Sequence, residues 1–195
     1  MKGAKSMNAA CLLEALIFAS PEPVRLSAMV DLLRSQGLEA HAPEVLLEIQ
    51  KRFEHHAIEL VEVAGGWQFR TRAEYAGALT RVIEKPRRLS RSTMETLAVI
   101  AYHQPCTRSE VEAVRGVSLG QAVLDALLED GLVSPKGRKD VPGRPVLWGT
   151  TARFLEVFGL SSLASLPRRE DFLLDRATTE DTETVGMTRD PQDEG

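Results

Sequence analysis

Ser92-Thr93-Met94-Glu95-Thr96-Leu97-Ala98-Val99-Ile100-Ala101-Tyr102-His103-Gln104-Pro105 leads through Cys106 into Thr107-Arg108-Ser109-Glu110-Val111-Glu112-Ala113-Val114-Arg115-Gly116. After Val117 comes Ser118-Leu119-Gly120-Gln121-Ala122-Val123-Leu124-Asp125-Ala126-Leu127-Leu128-Glu129-Asp130-Gly131. Ser92-x-x-Glu95, Thr107-x-x-Glu110 and Ser118-x-x-Gln121 each fit a capping box. In that motif a hydroxyl accepts a first-turn amide, and the side chain three residues on reaches back. Apolar positions recur at helical spacing: Met94, Leu97, Ala98 and Ala101 in the first run, Val123, Leu124, Leu127 and Leu128 in the third. Pro105 stops the first helix, Gly116 closes the second, and Gly131 offers the left-handed turn that ends the third. Leu132-Val133 and Pro145-Val146-Leu147-Trp148 are β-type runs on either side of a charged loop. Three helices followed by a hairpin is the order of a winged helix.

Upstream, the same order has already run once. Asn8 suits an N-cap, and Leu12, Leu13, Leu16 and Ile17 share one face of a helix that Pro21 and Pro23 end. Ser27 is placed to cap a second helix with Met29, Val30, Leu32 and Leu33 facing inward and Gly37 at its end. Pro43 opens a third, with Val45, Leu46, Ile49 and Phe53 at helical spacing. The run 58–63, then Gly65-Gly66, then the alternating 67–70 make a hairpin. The spacing therefore predicts a mainly α fold with small β-hairpins (α+β), built as two tandem winged-helix domains. They cover 8–85, including a helical linker over 72–84, and 86–167. Residues 168–195 are acidic and poor in apolar side chains, as a flexible tail is. Domains this small have thin cores, so association with a second chain is expected. The helix around Leu12, Leu16 and Ile17 is the candidate self-association surface, or else it fills its own core.

The 195 residues carry a net charge of −4 and 43 % hydrophobic side chains, the balance of a soluble globular protein. No apolar run approaches the roughly 20 residues that span a bilayer. Glu14 interrupts the first apolar helix, which is unlike a signal peptide, so a cytoplasmic location is expected. Cys11 and Cys106 lack the Cys-x-x-Cys spacing of a zinc or redox site. His55 and His56 are adjacent and project about 100° apart on a helix, so they do not chelate as an i, i+4 pair does. No phosphate-binding loop is present, and no acid, base and nucleophile share a recognisable spacing. The expectation is a protein that is not an enzyme and takes no cofactor, no metal and no small-molecule substrate.

Winged helices usually read DNA by placing cationic or amide side chains of the third helix in the major groove. Here the stretch 119–130 holds Asp125, Glu129 and Asp130 and neither Lys nor Arg. Phosphates would repel it. Its counterpart in the first domain carries Lys51 and Arg52 but also Glu44, Glu48 and Glu54. The concentrated basic feature is Lys136-Gly137-Arg138-Lys139-Asp140-Val141-Pro142-Gly143-Arg144-Pro145. Such a loop is compatible with plain solvation, with sequence-independent phosphate contact, or with a protein partner. The last fits best, with Arg138, Lys139 and Arg144 presented by a proline-restricted loop and Trp148 as a nearby apolar anchor.

The runs 89–105 and 107–117, the stretch 137–145, Gly149-Thr150-Thr151 and Phe154-Leu155-x-x-Phe158-Gly159-Leu160 together resemble the segregation and condensation protein B (ScpB) family. Leu13-Glu14-Ala15-Leu16-Ile17-Phe18-Ala19-Ser20 and Glu22-Pro23-Val24 are also similar, and the likeness departs at Ser118-Leu119-Gly120-Gln121. The resemblance implies a homodimer formed by the N-terminal domain and binding to the kleisin ScpA. With an SMC ATPase, which holds all of the ATP chemistry, the three implied subunits form a condensin that condenses and segregates chromosomes before cell division. DNA contact by this subunit is then indirect or weak, and no membrane is involved. The reading from a different class is a dimeric winged-helix transcription regulator that binds an operator.

Overall fold

Asn8 accepts a hydrogen bond from the Cys11 amide at 3.1 Å and so starts helix α1, Ala9–Ala19, as its side chain leads one to expect. The structure, a computed structural model, describes residues 8–79 and 89–168. Helix α2 is Leu26–Ser35, and α3 is Ala42–Arg52 with Pro43 in its first turn. Their inner faces meet through Leu13, Ile17, Met29, Leu33, Leu46 and Ile49, all essentially without solvent contact. Strands β1, Ile58–Val63, and β2, Gly66–Thr71, pair antiparallel with Leu60 opposite Phe69. Ala64 and Gly65 link them, both at positive φ (52° and 71°), the paired left-handed conformation that matches a hairpin's twist. Helix α4, Ala73–Leu79, follows. The remainder of the expected linker, 80–84, lies outside the described residues, as does 169–195, nearly all of the expected tail.

The second half repeats three helices and a hairpin. Helix α5 is Arg91–His103, strand β3 is Cys106–Thr107, and α6 is Arg108–Arg115. Helix α7 is Gln121–Glu129, strands β4 and β5 are Val133–Arg138 and Val146–Thr150, and α8 is Ala152–Phe158. The sheet order is β3-β5-β4, all antiparallel. The architecture among the described residues is thus mixed α and β, with helices dominant and two small sheets.

Several details correct the sequence reading. Ser90, not Ser92, caps α5, because its hydroxyl accepts the Thr93 amide at 3.1 Å, and Glu95 turns outward to Arg91 and Arg115. The stripe on α5 is rotated as well: Thr93 and Thr96 are buried beside Leu97, Ile100 and Ala101, while Met94 is 42 % exposed. Both hydroxyls are satisfied locally, Thr93 with Ser90 and Thr96 with the Ser92 carbonyl at 2.8 Å, which removes the cost of burying them. Gly120 rather than Ser118 precedes α7, since Leu119 is drawn into the core and fixed by Glu112 and Arg108. Helix α2 starts at Leu26, one residue before the expected cap Ser27, without a side-chain cap. The Thr107–Glu110 capping box is present in full.

Among the described residues, the two halves touch at the first hairpin's turn. The amides of Ala64 and Gly65 donate to the carbonyls of Leu160 and Ser161 at 2.9 and 3.1 Å, and the Arg70 guanidinium donates to the Glu156 carbonyl. The hairpin turn of the first half thereby supplies donors to the chain that leaves α8.

Candidate partner-binding site

The expected site starts from the hairpin of the second half. Pro135 and Gly137 straddle a bulge in β4, after which Gly137 pairs with Leu147 and Arg138 with Val146. A bulge bends a strand and re-aims its side chains. The strand runs on to Arg138, so Lys136 and Arg138 sit at the end of a ladder rather than in a free loop. The Lys139 amide donates to the Pro145 carbonyl at 2.9 Å and the Arg144 amide to Val141 at 2.9 Å. Arg138 Nη1 reaches the Arg144 carbonyl at 3.1 Å. These bonds close the loop on itself and hold Arg144 at φ 39°, with Arg138 and Arg144 both exposed.

Lys139 behaves differently from its two neighbours. Its ammonium is ion-paired with Glu110 in the first turn of α6, so it ties the loop to the helix. Glu110 also accepts from the Thr107 amide at 2.7 Å and the Thr107 hydroxyl at 2.9 Å. With Lys139 as the largest influence and Thr107 next, the carboxyl is held down at about 2 from an ordinary 4.5. A depressed folded-state value means that the stabilisation is complete above about pH 4.5 and is lost as pH falls toward 2. Thermal midpoints of the parent and Glu110→Gln chains are therefore expected to differ at neutral pH, to draw together as pH falls below about 4.5 and to meet near pH 2. A gap that stays constant across the acid range would sink this account.

Beside the loop lies an open groove of about 420 Å³, floored by Leu124 and Leu128 of α7 and walled by Pro145, Val146 and Trp148. Arg108 and Glu112 close its far side. Arg108 is already spent on Glu112 at 3.3 Å, Gln121 at 3.0 Å and the Leu119 carbonyl. The Glu112 carboxyl is held low, mainly by the Leu119 amide at 2.8 Å and then by Arg108. Of the four expected residues, Trp148 lines the groove, Arg144 is exposed on the loop next to the lining residue Pro145, Arg138 is turned onto the Arg144 carbonyl, and Lys139 is engaged with Glu110. Leu124 and Leu128 were legible only as core positions. Leu128 is half-buried because the hairpin leaves that side of α7 open.

In the first half, Ile17 is 2 % exposed within its own core, and Leu12 and Leu16 are half-buried against it. The open face of α1 is instead that of Cys11, Ala15 and Phe18, with Phe18 79 % exposed. Those side chains border a small groove with Phe53, Ile58 and Phe69. Spacing of 4 and 3 residues marks 11, 15 and 18 as one helix face, a signal outweighed in the sequence by the more apolar Leu12, Leu13 and Leu16. Arg52 on α3 is held by Glu14 at 2.8 Å and Glu48 at 3.0 Å, leaving Lys51 as that helix's exposed cation not paired to a carboxylate.

Around the groove, α7 carries Asp125 and Glu129 and neither Lys nor Arg, and the basic loop beside it is braced from within by Lys139 and Glu110. Residues 11–169 match the family model described as segregation and condensation complex subunit ScpB, and the chain belongs to that family. A segregation and condensation protein B of Symbiobacterium thermophilum is 46 % identical over 160 residues, covering 80 % of this chain and 71 % of its own. That of Desulforamulus reducens is 43 % identical over 169 residues, covering 85 % and 92 %. The crystal structure of ScpB from Mycobacterium tuberculosis is similar at 32 % identity and a TM-score of 0.36, over 80 % of this chain and 99 % of that one. No helix among the described residues is long and apolar enough to cross a membrane.

Proposed function

We propose that this chain is a non-catalytic subunit that binds the kleisin ScpA and, through it, an SMC ATPase, to condense and segregate chromosomes before cell division. In this reading residues 8–85 and 86–167 are tandem winged-helix domains in the cytoplasm. The first makes a homodimer and the second holds the kleisin. The observation that carries it is helix α7: Gln121–Glu129 contains no Lys or Arg, and it borders an apolar groove under Trp148. A polyanion is repelled by Asp125, Glu129 and Asp130, whereas an amphipathic helix of another protein finds the half-buried Leu128 and Trp148 to cover. Arg144, exposed on the loop one residue before the lining Pro145, supplies a cation for that helix's carboxylates.

The test is co-purification of the full chain with its partners from the cells that make it, at moderate salt. A kleisin chain and an SMC ATPase are expected to be retained, and retention is expected to survive nuclease. If a specific DNA duplex is retained and no kleisin is, the protein is a DNA-binding regulator and the proposal fails. For the homodimer, the face of Cys11, Ala15 and Phe18 is the contact we favour. Phe18→Asp is expected to weaken self-association about tenfold or more, read by sedimentation equilibrium at micromolar concentration. A parent chain that sediments as a monomer there sinks the dimer.

A further inference from the structure

We infer that Ser92 is a phosphorylation site whose phosphoryl group is received by the buried guanidinium of Arg115. Three independent features converge there. Ser92 is exposed and is the second residue of α5, a helix of 13 residues whose N-terminal amides favour a negative group. Arg115, from the end of α6, points Nη2 at the Ser92 hydroxyl at 3.2 Å, and its side chain is only 7 % exposed. Its Nε, on the same edge of the guanidinium as Nη2, is buried and has no hydrogen-bond acceptor. That edge is the one with which arginine grips a phosphoryl or carboxylate through two parallel bonds, and here half of the grip is vacant.

A buried N–H without an acceptor is costly, and a small shift of a dianion tethered to Ser92 supplies one. Glu95 is the opposing charge. Its carboxylate lies 3.2 Å from Arg115 Nη2 and 3.0 Å from Arg91 Nε, and it is held low by Arg91 first and Arg115 second. Arg91 is 94 % exposed and can keep Glu95 while Arg115 turns to the phosphoryl group. The nearby Ser90 is a poorer acceptor, because its hydroxyl already caps Thr93.

The transfer is from a nucleoside triphosphate held by a protein kinase. Ser92 Oγ attacks the γ-phosphorus, the new Oγ–P bond replaces the bridging P–O bond, the nucleoside diphosphate leaves, and the hydroxyl proton passes to the kinase's base. The product ties α5 to α6 more firmly.

Two measurements on the full chain test this. Phosphopeptide mapping of protein isolated from its own cells is expected to find phosphate on Ser92; a map that covers the peptide and finds Ser92 unmodified, or Ser90 modified in its place, overturns the assignment. Separately, phosphoserine installed at 92 during synthesis is expected to raise the thermal midpoint by about 3–8 °C. The gain is expected to vanish in Arg115→Lys, which keeps the charge but lacks the second N–H, each background being compared with its own unphosphorylated form. An equal gain in Arg115→Lys, or none in the parent, refutes the receptor. Stabilisation by inorganic phosphate alone that persists in Ser92→Ala would mark a free-oxyanion site and overturn the covalent one.

Discussion

Arg144→Glu combined with Trp148→Ala is expected to weaken kleisin binding by about 30-fold or more, measured by calorimetric titration of the full chain with a purified kleisin. The size follows from where the two side chains sit. Trp148 is half-buried and lines the same groove as Leu128, so a partner helix seated there completes its burial. Aromatic and arginine side chains in such partly enclosed positions carry most of the energy of protein interfaces. Arg144 is exposed, and reversing its charge replaces attraction of a carboxylate with repulsion. Trp148 also packs on the sheet, with Cys106 and Pro135 as its cross-strand neighbours, so the alanine variant is checked by its thermal midpoint. Trp148→Phe keeps the sheet filled and is expected to retain most of the affinity. Unchanged binding in the double variant would remove the groove from the account.

The second large effect concerns the fold of the first half. Gly66→Ala is expected to cost about 3 kcal/mol, lowering the thermal midpoint by roughly 6–12 °C. A Cβ at Gly66 would lie 2.9 Å from both the carbonyl carbon and oxygen of Pro23 and 3.0 Å from the Val24 carbonyl oxygen. These are backbone atoms, held in place by Val24 and Trp67 exchanging hydrogen bonds at 2.9 and 2.8 Å. The methyl group has to push the two segments apart and break that bridge. Gly77→Ala is the control, since its Cβ would meet nothing within 4 Å and α4 gains a better helix former. It is expected to leave the midpoint unchanged or slightly raised. Equal effects at both positions would show that loss of glycine, not the contact with Pro23, is responsible.

Local rules and non-local ones part cleanly along this chain. The caps at Asn8 and Thr107, the proline at the start of α3 and the glycine turn after α7 were readable because each partner lies within four residues. The face of α5 was misread for the opposite reason. Whether Thr93 or Met94 points inward depends on which side of the helix α6 and α7 occupy, and the burial of threonine is tolerable only because Ser90 and the Ser92 carbonyl take its hydroxyls. Strand β3 is two residues long and owes its existence to β5, some forty positions further on. No window of sequence contains that pairing.

The same division holds at the site. By itself the sequence determined the two rounds of helices and hairpin, the uncharged-to-acidic character of α7 and the membership of the ScpB family, because charge, periodicity and motif order are properties of the chain. Only the tertiary structure decided that Lys139 is spent on Glu110, that Ile17 is sealed in the core while Phe18 stands in solvent, and that Trp148 shares a groove with Leu124 and Leu128. Each of those depends on which side chains from distant segments arrive at one place, and that is set by the packing of the whole core rather than by any neighbour in sequence.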